Sequence, residues 1–462
     1  MKTAGMGKGK EELPLFPFKA PDSLEGLDIP ESLVEDLMLR RLYVTGTSNL
    51  RSLTQALKLS FAVVHTVFQR LRKEQFFEVK GMEGQDYTFT LSAKGQEFAR
   101  KSFELCRYSG PAPVSLKDYR NTVRAQIGKV SVNRSKLMEL LPDLVLTEGF
   151  LDQLGPALVS QNSIFIYGPT GNGKTSIVNR LPRIYQDVVA IPYAIEFDRQ
   201  IIVVYDPVVH QRVEADVHGL DTRWVLCRRP YVFVGGELEP SMLELKVDRS
   251  TGVYVAPLQM KANNGMLVID DFGRQILSPE YLLNRWIVPL DRRVDYLSLS
   301  YGVKFEIPFE MTVIFSTNLD PLKLADEAFL RRIQNKIFVG PVSPEVFDRI
   351  FHQITEQKNA PHETDSADFL RKLCSQFGCK ELRACYPGDI INIIESISAY
   401  EGIPLEINKA NLTRAANIYF TKTADPGKET SRSSSAKGTG ERRGEGLKQR
   451  PGFGFYEVTH TS

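Results

Sequence analysis

The sequence predicts an α/β protein, a parallel-sheet core with a helical lid, preceded by a smaller α+β unit. Three observations carry this. An apolar run, Ile164-Phe-Ile-Tyr167, leads straight into Gly168-Pro-Thr-Gly171-Asn-Gly173-Lys174-Thr175-Ser176 and an apolar helical face. Two later apolar runs, Met266–Ile269 and Met311–Thr317, end in polar residues, as strands of such a sheet do at its functional edge. Upstream, three helical stretches are followed by two β-rich ones.

Taken in order, residues 1–28 mix Gly, Lys and Pro without periodicity and read as a flexible arm. From Ile29 the spacing turns helical. Leu33, Leu37 and Leu42 mark a first helix, Leu50, Leu53 and Leu57 a second, and Val63, Val64, Val67, Phe68 and Leu71 a third, entered at Ser60. Short β-rich runs over 76–80 and 87–91, joined around Gly81 and Gly84, complete a winged helix-turn-helix over 29–108. Residues 109–141 read as a helical linker and 142–340 as alternating strands and helices. A helical lid over 341–423 follows from the spacing of Val346, Ile350 and Ile354 and of Ile390, Ile391, Ile394 and Ile397. Residues 424–462, nearly devoid of apolar side chains before Gly452-Phe-Gly-Phe-Tyr456, read as a disordered tail.

A chain of 462 residues, 42% hydrophobic and 25% charged, is more than one compact domain. Its net charge of +2 supplies no global field for nucleic acid or anionic membranes, so any such contact needs a local patch. The 5 cysteines fit no secreted disulfide framework. Cys374, Cys379 and Cys385 lack zinc-site spacing and read as buried thiols of a cytoplasmic protein. No window has the length of a membrane span, so membrane insertion is not expected.

The chemistry gathers at strand ends. Gly168, Gly171 and Gly173 let the backbone curl so that N–H groups face one anion, with Pro169, Thr170 and Asn172 filling the turn and Ser176 opening the helix. Lys174 reaches the β- and γ-phosphates of a nucleotide, Thr175 offers a hydroxyl to Mg²⁺, and the helix turns its positive end to the phosphates. At the tip of Met266–Ile269, Asp270 holds the Mg²⁺ shell and Asp271 orients and deprotonates a water. Asn318, after Met311–Thr317, would hold that water near the γ-phosphate. In Asp326-Glu-Ala-Phe-Leu-Arg331-Arg332-Ile333 a guanidinium on an exposed edge reaches a neighbouring subunit's nucleotide.

GPTGNGKTS, MLVIDD, FSTN and AFLRRI stand in the order Walker A, Walker B, sensor 1 and arginine finger. Over residues 142–420 the chain thereby resembles the AAA+ ATPases, P-loop NTPases with a helical lid. The resemblance implies Mg²⁺-dependent ATP hydrolysis at the interfaces of a ring, commonly a hexamer, and remodelling of a macromolecular partner, a protein above all. It assigns Lys174 and Thr175 to phosphate and Mg²⁺, Asp270 to Mg²⁺, Asn318 to sensor 1, and Arg332, or else Arg331, to the finger. The stretches Gly235–Met242 and Tyr254–Met260, with a hairpin over Arg293–Pro308, make it similar to the group holding MoxR-like chaperones and enhancer-binding activators, which project such hairpins toward a substrate.

The chain departs from that pattern twice. Asp271 stands where many AAA+ proteins have Glu, and Gly388 stands where the lid often supplies an arginine, leaving Arg383 as the nearest substitute. An inserted stretch, Ile201–His210, reads as a hairpin forming an accessory surface. His210, His218, Asp206 and Asp221 read as solvated turn residues rather than a metal set. On the third helix of the wing unit Ala62, Thr66, Gln69 and Lys73 share a face, with His65 and Arg72 beside them, which suits a DNA major groove. The unit holds about as many acids as bases, so protein docking stays open beside DNA.

Overall fold

The computed structural model describes residues 19–420 apart from 84–85, 129, 215–219 and 325–326. Its core is a parallel sheet of β1 (Ile164–Tyr167), β2 (Tyr231–Val234), β3 (Met266–Ile269), β4 (Thr312–Thr317) and β5 (Asn335–Phe338) in the order β2-β3-β4-β1-β5. The central strands β3, β4 and β1 are buried nearly throughout because both faces are covered, whereas the edge strands β2 and β5 alternate and leave Phe233 and Phe338 exposed. Ile164, Ile166, Val268 and Ile314 face a layer containing Leu151, Leu154 and Leu158 of the helix Glu148–Ser160. Phe165, Leu267 and Phe315 face the other way, toward Phe272 and Trp286. Phe315 lies 5.9 Å from Phe165 and 5.1 Å from Phe272, ring to ring.

The order of strands puts the ends of β1, β3 and β4 side by side, with Thr317 level with Tyr167 and Ile269 level with Phe315. The phosphate loop, Asp270-Asp271 and Asn318 therefore share one edge. After the loop, α1 (Lys174–Val178) is shorter than the sequence suggests, and Leu181–Ile184 forms a separate 3₁₀ turn. Pro182 explains this, since a proline disfavours helix at the residue before it.

Residues between β1 and β3 build a second sheet rather than an exposed accessory hairpin. Its strands are Lys246–Asp248, Val253–Val255, Gln200–Val203, Ala194–Phe197 and Val114–Ser115, in that order. Gln200–Val203 pairs back onto Ala194–Phe197, so the hairpin precedes the expected Ile201–His210. Ile195, Ile202, Leu226 and Tyr254 are buried in its own core. The linker is correspondingly no free connector. It gives this sheet Val114–Ser115, then helices Leu116–Ala125 and Arg134–Leu140, and Tyr119 is buried with its hydroxyl accepting from Asn263 at 2.8 Å.

The 29–108 unit has the expected helices, Glu31–Thr45, Leu50–Leu57 and Phe61–Lys73, and a hairpin of Phe77–Glu83 with Asp86–Leu91. A third strand, Thr47–Asn49, pairs with Asp86–Leu91, and a further helix, Ala93–Leu105, packs on the first. Ser60 caps the third helix as expected, accepting from Val63 N–H at 3.4 Å. Of the arm, residues 19–28 are described and Leu27 is buried in this unit's core. The lid holds α2 (Pro344–Gln357), α3 (Ser366–Gln376), α4 (Cys385–Glu401) and α5 (Lys409–Tyr419). The tail over 424–462, with Gly452–Tyr456, lies outside the described residues, as do His218 and Asp326. No described helix is long and apolar enough to cross a membrane.

Candidate active site

At the shared strand edge the loop takes the backbone its glycines allow. Gly168, Gly171 and Gly173 have φ of +141°, +80° and +87°. At Gly168 a Cβ would also meet the Val339 carbonyl oxygen at 2.2 Å, so no other residue fits there. Lys174 is 9% exposed and its ammonium donates to the carbonyls of Gly168 at 2.7 Å and Pro169 at 2.9 Å. Burial pushes its pKa below the ordinary lysine value, while Asp270 and Asp271 pull it up. An anion against this ammonium would restore the charge balance that burial disturbs.

Thr175 Oγ1 donates to Asp270 Oδ2 at 2.8 Å, across 95 residues of sequence. A hydroxyl and a carboxylate oxygen beside a phosphate loop are the hard donors that Mg²⁺ takes, so these residues fit the ion. Asp271 has φ of +49°, left-handed backbone that aspartate tolerates better than most side chains. The turn around it is pinned, with Phe272 N–H donating to the Ser316 carbonyl at 2.8 Å and Gln275 Nε2 to the Asp270 carbonyl at 2.7 Å. Asn318 Oδ1 and Asn172 Oδ1 are buried without a hydrogen-bond partner among the described residues. Such orphaned acceptors suit a ligand or water that completes the site.

One cleft of about 510 Å³ is lined by Thr170–Ser176, Asp270, Asp271 and Asn318. Gly168 and Pro169 reach it through Lys174. The same cleft has walls that motif reading did not name: Asp143–Leu146 on one side, Ile350, Gln353, Ile354 and Gln357 of α2 on another, and Cys385 at the start of α4. Cys385 N–H donates to the Gly171 carbonyl at 2.9 Å, and Arg383 reaches Thr170 Oγ1 at 3.5 Å. The apolar spacing of α2 was legible, but its meeting with the loop was not.

Arg331 and Arg332 are not in this cleft. They line a separate cavity of about 400 Å³ with Leu290, Asp291 and Gln334. Arg331 is exposed and pairs with Glu327 at 2.9 Å, and Arg332, more enclosed, pairs with Asp291 at 2.8 Å. Thr66, Gln69, Arg72 and Lys73 are exposed on the helix Phe61–Lys73. Thr66 bonds back to the Ala62 carbonyl, and the Arg72 guanidinium lies 5.4 Å from the Tyr87 ring centre.

The expected hairpin before Asn318 is present as Val294–Ser298 paired with Lys304–Pro308. It does not project freely. Tyr301 donates to Asp198 at 2.8 Å, and Tyr254 Oη lies 2.7 Å from Ser300 Oγ, so the tip rests on the second sheet. Of the remaining candidates that are described, His210 and Asp221 are buried and Asp206 is half-buried, none of them a free solvated turn residue. His210 Nδ1 accepts from Asp206 N–H at 2.9 Å, Asp206 pairs with Lys261 at 2.8 Å, and Asp221 pairs with buried Arg223 at 2.7 Å. All 5 cysteines are free; Cys374 and Cys227 are buried, whereas Cys379 and Cys385 are only partly so.

The family described as "Domain of unknown function (DUF8689)" matches residues 343–418, the span of the lid helices. No curated protein matches the chain. Among solved structures, the Holliday junction branch migration motor RuvB of Thermotoga maritima aligns with 60% of this chain and 71% of its own at 12% identity, TM-score 0.35. A point variant of the same protein aligns with 59% and 69% at 11% identity, TM-score 0.34. No role is taken from them. The core sheet, glycine loop and helical lid themselves make this an α/β P-loop fold.

Proposed function

We propose that this chain is an AAA+ ATPase that binds ATP and Mg²⁺, hydrolyses ATP in a homo-oligomeric ring, commonly a hexamer, and remodels a macromolecular partner. The observation that carries this reading is the Thr175–Asp270 contact inside a cleft that also holds Lys174, Asp271 and Asn318. Three segments far apart in sequence supply those groups.

In this reading Lys174 and the loop N–H groups hold the phosphates, α1 being too short for a large dipole. Thr175 and Asp270 hold Mg²⁺, which when bound would neutralise charge gathering on the phosphate oxygens. Asp271 takes the proton of the attacking water, which Asn318 orients. Arg332, or else Arg331, acts on the next subunit's nucleotide, consistent with a position outside its own cleft. Membership of the hairpin-bearing branch, a cytoplasmic location and a protein partner belong to the same proposal.

A second reading is favoured by the exposed face of the helix Phe61–Lys73: a winged-helix DNA regulator in which ATP is an assembly switch. Steady-state ATPase assays with and without duplex DNA separate the two. Strong DNA-independent, Mg²⁺-dependent turnover supports the motor; turnover seen only with DNA supports the regulator. No turnover under either condition removes the motor.

A further inference from the structure

We propose that the side-chain amide of Gln353 reads the nucleotide base and selects adenine over guanine, an inference that rests on the nucleotide-cleft reading above. Helix α2 has two faces. Phe347, Phe351 and Thr355 are buried, whereas Ile350, Gln353, Ile354 and Gln357 form a second stripe, three or four residues apart, along the cleft. Ile350 and Ile354 are only half-buried, and so are Leu144, Val145 and Leu146, which line the same cleft from the segment before the core sheet. Apolar walls that leave surface open to one cleft gain from a flat apolar ligand between them, which a purine is and a phosphate or ribose is not. With the phosphates at Lys174, the base is the part of the nucleotide left to fill these walls.

The polar group among these apolar ones is the Gln353 amide. Its Nε2 donates to the Pro142 carbonyl at 2.9 Å, so the side chain reaches from α2 to the segment that supplies the other wall. A carbonyl only accepts, which keeps the NH₂ end of the amide on Pro142; flipped, the amide would set oxygen against oxygen. What remains is Oε1 and the second N–H, an acceptor and a donor side by side. An adenine edge matches that pair, its N6 amino group donating to Oε1 and a ring nitrogen accepting. Guanine carries an oxygen at position 6 and would set it against Oε1, and the bond to Pro142 opposes the flip that would admit it. Gln357, one turn further along α2, is exposed and serves as the comparison.

The test is displacement of a ribose-labelled fluorescent ATP from the full chain, with Mg²⁺, by ATP, GTP and ITP. ITP has the position-6 oxygen of GTP without its 2-amino group, so it separates reading at position 6 from exclusion by size. Wild type is expected to bind ATP at least about tenfold more tightly than either GTP or ITP. Gln353→Leu should weaken ATP and bring the affinities within about threefold of one another, while Gln357→Leu keeps the preference and Ile354→Ala weakens every nucleotide alike. Equal affinity of wild type for ATP and ITP, an undiminished preference in Gln353→Leu, or its loss in Gln357→Leu instead would overturn the inference. The comparison of ATP with ITP on wild type needs no substitution, so a variant that fails to fold does not shield it. Lys174→Ala separates the two levels: if it loses every nucleotide while wild type shows no preference, the cradle stands and the role of Gln353 falls, whereas a wild type that binds no triphosphate removes both.

Discussion

At the scale of single residues the site rests on Lys174 and Asp271, and their backbones decide how clean a test can be. Lys174→Ala removes the cradle's buried ammonium without touching the loop's glycines. It is expected to lose tight ATP binding in a fluorescent-nucleotide titration, and undiminished affinity would remove the phosphate-loop assignment. Asp271 sits in left-handed backbone, which asparagine also tolerates, so Asp271→Asn changes the chemistry and not the turn. Binding should persist while turnover falls at least about tenfold, since a positioned base contributes about 10² to 10⁴. Wild-type turnover would mean that another residue activates the water. These residues were legible because each follows an apolar strand, so position in sequence announced position on the sheet edge. Arg383 and Cys385 were less so: their approach to Thr170 and Gly171 depends on how α4 lies on the loop, and no local pattern encodes that.

At the scale of elements, burial on both faces explains why the core strands read so plainly. Phe315 is fully buried among Phe165, Phe272 and Trp286, and Phe315→Ala should cost about 3–5 kcal/mol, seen as a large drop in thermal midpoint. Tyr301→Phe removes only a surface hydrogen bond to Asp198 and should cost about 1 kcal/mol or less. A midpoint that falls as far for Tyr301→Phe as for Phe315→Ala would contradict this ranking. The helix Ala93–Leu105 escaped the sequence reading for a physical reason. It buries Gly95 and Ala99 and no large side chain, so it has no apolar stripe to detect. Val114–Ser115 is two residues long, and its place beside Ala194–Phe197 comes from long-range pairing alone. Pro182 was overlooked in carrying the helix through Leu181; its effect on the preceding residue cuts α1 short.

At the scale of the whole molecule, the role proposed for Arg332 would link catalysis to assembly. Arg332→Ala should bind ATP normally yet hydrolyse it poorly, because a finger acts on charge that develops in the transition state and contributes about 10³ or more. Mixing Arg332→Ala with Lys174→Ala should restore partial turnover, since mixed interfaces pair an intact cradle with an intact arginine. A monomer at all concentrations in light scattering, with unchanged turnover in both Arg331→Ala and Arg332→Ala, would leave the nucleotide-switch reading. Asp291 holds Arg332 at 2.8 Å, so in the proposed role the guanidinium would have to leave one carboxylate to serve another subunit.

The joint between the 29–108 unit and the second sheet bears on how such a protein can be taken apart. Ala194, Ile201 and Val253 of that sheet are buried in the core of the 29–108 unit, and Arg107 N–H donates to the Thr251 carbonyl at 2.7 Å. A fragment beginning at residue 109 would bring those apolar side chains to water and should be prone to aggregate. Exchange of the 29–108 unit for another module is therefore open only to a replacement that covers the same patch, so that unit and the insertion must change together.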